Sequence, residues 1–154
     1  MGRPEITQSL SDMLERYINP KHDTRIYWAR DVTFDYSTAN AIRVDYMRFK
    51  PVNNTVSGIE KGDFYCYEIK SSVEDFHSGH GLNFIGDYNY LVMPHEVYLK
   101  LQENGELPFG IGVLCPYEGR LKSIINARRK DRQRPVSEML LMMFRSAARW
   151  YRKE

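Results

Sequence analysis

The chain has 154 residues, 42% of them apolar and 27% charged, with a formal net charge of +2. That is the length of one domain with a sizeable core, and eleven tyrosines argue against disorder. A net charge this small excludes any inference of a polyanionic partner from overall charge, so only the placement of charges can carry one.

In chain order, Ile6, Leu10, Met13, Leu14, Tyr17 and Ile18 recur at helical spacing, and Asn19-Pro20 closes that helix. Two β-rich runs follow, residues 26–36 and 41–49, separated by the polar turn Ser37-Thr38-Ala39-Asn40. The stretch 51–62, rich in Asn, Ser and Gly, reads as a loop, and strand character returns over 63–70. Ser71-Ser72 precedes Val73, Asp75 and Phe76, a pattern that predicts a short serine-capped helix. Residues 78–86 are broken by glycines. A short strand over 88–93 then leads to Pro94, which opens a helix ending near Asn104-Gly105. The apolar run 109–115 predicts a strand covered on both faces, 120–125 a further edge strand, and 136–151 an amphipathic helix. The expected fold class is therefore α/β, one domain with helices on both sides of a mixed sheet.

The opening MGRPEITQSL lacks the apolar core of a signal peptide, and no run approaches membrane-spanning length. Cys66 and Cys115 fall inside predicted strands with no CxxC pair, which fits a reducing compartment better than a disulfide framework or a zinc site. A cytoplasmic protein with no membrane partner is expected.

Two strands carry the chemistry. Side chains alternate along a strand, so Phe64, Cys66, Glu68 and Lys70 share one face, and Arg43, Asp45, Met47 and Phe49 share a face of the preceding strand. If the two runs pair as a hairpin, Asp45 comes beside Glu68. Two carboxylates and a backbone carbonyl suit Mg²⁺ or Mn²⁺, hard ions that prefer oxygen. Such an ion activates water and neutralises a phosphodiester, and a neighbouring lysine assists. The plainer reading of the same residues is an ion pair on a solvated strand edge.

Arg43-Val44-Asp45, then a hairpin loop, then Tyr67-Glu68-Ile69-Lys70-Ser71-Ser72 resembles the PD-(D/E)xK nuclease superfamily, and within it the MmcB-like DNA repair proteins. Asp31-Val32-Thr33 and the run Glu68 to Phe76 carry the likeness further, over about residues 26–115. The resemblance implies a restriction-endonuclease-like mixed sheet flanked by helices. It also implies metal ligands Asp45 and Glu68, a catalytic lysine at Lys70, and an additional acid at Asp31 or at Glu15. Asp31 stands where that family favours Glu, no proline precedes Asp45, and His77-Ser78-Gly79-His80-Gly81 replaces a charged, tryptophan-containing stretch.

His77 and His80, with Asp75, could imitate a metal cluster, but the surrounding glycines favour surface histidines. Asp87 reads as a turn residue, and Met139, Met142 and Met143 with Leu140 and Leu141 as core packing. The segment Arg128-Arg129-Lys130-Asp131-Arg132-Gln133-Arg134 sets five basic residues against one acid and is the strongest candidate for phosphate contact. Arg145, Arg149, Arg152 and Lys153 of the last helix would extend it. The expected activity is divalent-metal-dependent hydrolysis of DNA, with RNA as another substrate and a homodimer as a plausible state. The alternative is a nucleic-acid-binding module of the same fold that has lost turnover.

Overall fold

The computed structural model describes residues 2–153. Helix α1 (Arg3–Ile18) starts with proline in its first turn, where the missing N–H costs nothing, and ends at Asn19. Strands β1 (Tyr27–Phe34), β2 (Ile42–Lys50) and β3 (Asp63–Ile69) form an antiparallel meander. A short helix α2 (Val56–Glu60), capped by Thr55, lies inside the stretch expected to be loop. Helix α3 (Val73–His77) follows β3 and is capped by the Ser72 hydroxyl, as its sequence predicts. Strand β4 (Tyr88–Val92), helix α4 (His95–Glu103), strands β5 (Gly112–Tyr117) and β6 (Arg120–Ile125) and helix α5 (Val136–Lys153) complete the chain.

The six strands form one mixed sheet in sequential order, with β3, β4 and β5 parallel and the outer pairs antiparallel. Helix α1 packs Leu10, Leu14 and Ile18 onto one face, against Tyr46, Tyr67, Ile69, Val92 and Leu114. The other face carries two separate clusters. Met139 and Met143 of α5 cover β1–β3 through Val32, Phe34, Met47, Phe49, Phe64 and Cys66. Val97, Tyr98 and Leu101 of α4 cover Leu91, Val113 and Cys115. Truncating fully buried members such as Leu14 or Met139 (each 0% exposed) costs about 2–5 kcal/mol, so these helices are held by burial. Strand β3 borders the two clusters, with Phe64 and Cys66 in the first and Leu91 of the neighbouring β4 in the second. Leu141 departs from the core role its sequence neighbourhood suggests and is 59% exposed.

Strict alternation fails at one place. Ala29, Val32 and Phe34 all pack under α5, as do Val44, Met47 and Phe49, so the inward parity switches between residues 29 and 32 and between 44 and 47. The expectation that Arg43 shares a face with Met47 and Phe49 is thereby corrected: Val44 takes that place and Arg43 is exposed. The switch in β1 occurs at Asp31, whose φ is +52°. The region is tolerated by aspartate better than by most side chains, and it takes the local backbone out of the ladder. Helix α5 satisfies the carbonyls released there: Ser146 Oγ and Trp150 Nε1 donate to Arg30, and Arg149 donates to the Asp31 carbonyl at 3.1 Å.

Candidate functional site

Pairing of β2 with β3 stops at Tyr46↔Tyr67, one residue short of Asp45 and Glu68. Continued by one step, that register sets Asp45 opposite Glu68, and side chains replace the backbone ladder there. The Ile69 amide donates to Asp45 Oδ2 at 2.9 Å, and the Asp45 amide lies 3.3 Å from Glu68 Oε1. The two acids are thus laced across the parting strands. Because the N–H and C=O of one strand residue face the same neighbour, the Ile69 carbonyl is on the Asp45 edge too.

Glu68 is 5% exposed, and burial is the main force raising its pKa, to about 10, with the Asp45 charge and a hydrogen bond between the two carboxyl groups adding to it. The Asp45 amide and Lys70 oppose the rise without cancelling it. Glu68 therefore favours its neutral form around neutral pH, in the position where a cation would relieve the same burial and repulsion. Gly81 closes over this acid: its φ is +79°, and a Cβ there would sit 2.5 Å from Glu68 Oε2.

Lys70 is 3% exposed and its ammonium is committed. It donates to the Asp75 carbonyl at 3.3 Å and to the His80 carbonyl, with Asp75 Oδ1 3.8 Å away. Asp75 does more than begin a helix. Its carboxylate also accepts from the Ser71 amide at 3.0 Å and pairs with Arg3 at 2.7 Å, tying α1 to the end of β3. The expectation for His77 and His80 as surface residues agrees with the structure: His77 pairs with Glu106, and His80 contributes its backbone carbonyl.

The two candidates for an additional acid are placed differently. Asp31 lies on the cleft, but Arg43 stands between it and Asp45, with Nε 3.8 Å from Asp31 and Nη2 4.0 Å from Asp45. Glu15 accepts from the Tyr46 hydroxyl at 2.6 Å and from Arg30 at 3.4 Å, and burial, with this hydrogen bond adding to it, holds the Tyr46 phenol far above its ordinary pKa. Among the described residues, no group of three or more His, Cys, Asp or Glu side chains gathers into a metal site. Two carboxylates remain, and that still fits Mg²⁺, which keeps several waters and commonly takes one or two protein carboxylates.

The acids open onto a cleft of about 880 Å³, lined by Thr7, Gln8 and Ser11 of α1 and by the cations Arg3, Arg30 and Arg43. These cations come from three elements, and only Arg43 stood in a motif that sequence could single out.

The basic segment is elsewhere. Asp87, read from sequence as a turn residue, is 1% exposed and anchors it, accepting from Arg132 at 2.7 Å and from the Phe64 amide at 2.7 Å. Arg129 pairs with Asp63 at 3.0 Å, and Arg134 with Asp35 and Glu138 at 2.8 Å each. Arg129 and Arg132 therefore hold the segment against the fold at the start of β3, the opposite end from Glu68 and Lys70, while Arg134 ties it to Asp35 just past the end of β1. Arg128 and Lys130 stay exposed, Arg128 lying 5.0 Å over the Phe109 ring.

No protein-family model matches the chain, and no curated protein matches it. Among solved structures it is similar to the SPO1766 protein of unknown function from Silicibacter pomeroyi, with a TM-score of 0.60 and 15% identity over 99% of this chain and 89% of that one. That likeness shows the fold: an α/β mixed sheet flanked by helices. Among the described residues no helix is long and apolar enough to cross a membrane.

Proposed function

We propose that the chain is a divalent-metal-dependent nuclease-like protein of the PD-(D/E)xK type that hydrolyses phosphodiesters in DNA. The observation that carries the reading is the Asp45–Glu68 pair, two acids laced across diverging strands beside a buried lysine, with the pKa of Glu68 raised by burial and by the Asp45 charge. A Mg²⁺ or Mn²⁺ ion held by Asp45, Glu68 and the Ile69 carbonyl would supply Lewis acidity and a water of lowered pKa. Arg3, Arg30 and Arg43 would take the phosphates flanking the scissile bond, their charge-assisted donors orienting it in the cleft. Lys70, fixed by the Asp75 and His80 carbonyls, would bring a buried positive charge to the acidic end of β3, where negative charge develops.

A second reading is favoured by that same lysine. An ammonium already bound to two carbonyls, with Arg43 interposed before the third acid, suits a nucleic-acid-binding module that has lost turnover. The deciding experiment is cleavage of single-stranded, duplex and branched DNA, with RNA alongside, in Mg²⁺ or Mn²⁺, comparing the native chain with Glu68→Ala. Metal-dependent cutting that disappears in the variant supports the nuclease. Metal and DNA binding without cutting supports the module, and absence of metal binding overturns the metal site itself.

A further inference from the structure

Four arginines among the described residues are half-buried, and three of them have a carboxylate. Arg30 pairs with Glu15, Arg132 with Asp87, and Arg134 with Asp35 and Glu138. Arg48 is the fourth. Among the described residues it makes no ion pair and no side-chain hydrogen bond, and its Nε is buried without a partner. The outer nitrogens of its guanidinium also lack partners and are open to solvent. Partial burial of a cation is costly when nothing in the chain replaces the solvation it loses. The acids nearest in the fold are committed elsewhere: Asp63 to Arg129, and Glu15 to Tyr46 and Arg30.

Arg48 stands in a row across the sheet, on the face where α1 packs. The register sets it between Trp28 of β1 and Tyr65 of β3, with Tyr88 of β4 next in line. Tyr65 and Tyr88 stack at 4.8 Å with their planes 14° apart, and all three aromatic residues of the row are half-buried. Tyr17, in the last turn of α1 and 42% exposed, is close enough for its hydroxyl to feel the Arg48 charge, as do those of Tyr65 and Tyr67. Burial raises all three phenols above their ordinary pKa, so at neutral pH they are neutral donors and none supplies a compensating anion. We infer that Arg48, with the Tyr17 and Tyr65 hydroxyls beside it, forms a binding site for the phosphate group of a nucleotide. The guanidinium fork matches two phosphate oxygens, and the hydroxyls suit the further oxygens that a carboxylate lacks. Lys50, exposed two residues along the same face of β2, adds to the attraction. Trp28 and Tyr88, at the ends of the row, offer aromatic surface to a base. This site is separate from the Asp45–Glu68 pair and does not depend on it.

Titration of the full chain in EDTA with inorganic phosphate, followed by NMR of the arginine Nε–Hε and backbone amide resonances, tests the site without metal. The Arg48 and Tyr65 resonances should shift together and saturate. In Arg48→Met, which keeps the apolar stem and removes the charge, the Tyr65 shift should need roughly tenfold more phosphate or more. Arg48→Met should also unfold in phosphate-free buffer at a temperature no lower than the native chain, because an uncompensated charge is gone. Adenosine monophosphate and a single-stranded oligodeoxynucleotide then separate the sources. Tighter binding of the monophosphate than of phosphate assigns a free nucleotide. Tighter binding of the oligonucleotide, with a salt dependence that lessens in Arg48→Met, assigns a strand, and either result upholds the site. With no metal present, failure here leaves the nuclease reading standing, and failure of cleavage leaves this site standing. An Arg48 resonance indifferent to phosphate, phosphate binding undiminished in Arg48→Met, or neither nucleotide binding tighter than phosphate overturns the inference. So does an Arg48→Met chain markedly less stable than the native one, because the guanidinium would then be a structural group.

Discussion

Replacing Glu68 by Gln tests the buried, proton-retaining acid at the centre of the site. In the folded chain Glu68 is held protonated up to about pH 10, by burial first and by the Asp45 charge second, whereas in the unfolded chain it ionises near its ordinary value of 4.5. Between those two values the unfolded state binds fewer protons than the folded one, so stability falls as pH rises through that window. Below about pH 4.5 the glutamate is protonated in both states and this contribution vanishes. Gln keeps the shape, offers an acceptor to the Asp45 amide and a donor to the Asp45 carboxylate, and does not ionise. Each pH unit of mismatch is worth about 1.4 kcal/mol, so the effect at pH 8 is on the order of a few kcal/mol. Glu68→Gln should therefore be more stable than the native chain at pH 8 in EDTA, with a gap that shrinks toward pH 5. Thermal or urea unfolding at several pH values measures it. Mg²⁺ or Mn²⁺ should stabilise the native chain, by roughly 3 kcal/mol at a hundredfold excess over the dissociation constant, and leave the variant nearly unchanged. A variant less stable at every pH, or a gap that does not change with pH, would refute the account of Glu68 as a buried acid that keeps its proton.

Three further outcomes follow from the same geometry. Gly81→Ala should destabilise by about 2 kcal/mol and abolish metal-dependent stabilisation, since its Cβ meets Glu68 Oε2 at 2.5 Å from a left-handed backbone; urea titration with and without Mn²⁺ reads both effects. Asp87→Ala should cost about 3–5 kcal/mol by stranding Arg132 beside an unpaired Phe64 amide, whereas Arg128→Ala and Lys130→Ala should stay within about 0.5 kcal/mol by the same titration. Asp31→Val should lose about 2 kcal/mol at a φ of +52°, while Asp31→Asn should unfold much like the native chain and retain its Mn²⁺ stabilisation; loss of that stabilisation would make Asp31 a ligand.

Much of the architecture is legible in the chain order of apolar spacing and caps. Helical periodicity marks α1, α4 and α5, Ser72 marks α3, and Pro94 and Gly105 bracket α4, because these are local preferences acting within a turn or two. The proximity of Asp45 to Glu68 is legible as well, since a hairpin places them opposite each other. Three things were decided by tertiary structure alone. The parity switch at Asp31 depends on α5 accepting the carbonyls that the ladder gives up, from residues more than a hundred positions away. The commitment of Lys70 depends on a loop folding back to present the His80 carbonyl. The fate of the basic segment depends on Asp87, an acid with no local signature, being buried under it. Sequence determines which groups are present and which local shapes they prefer. Which charge meets which counter-charge is set by long-range packing, because the Coulomb energy of a pair depends on a separation and a desolvation that no local pattern encodes.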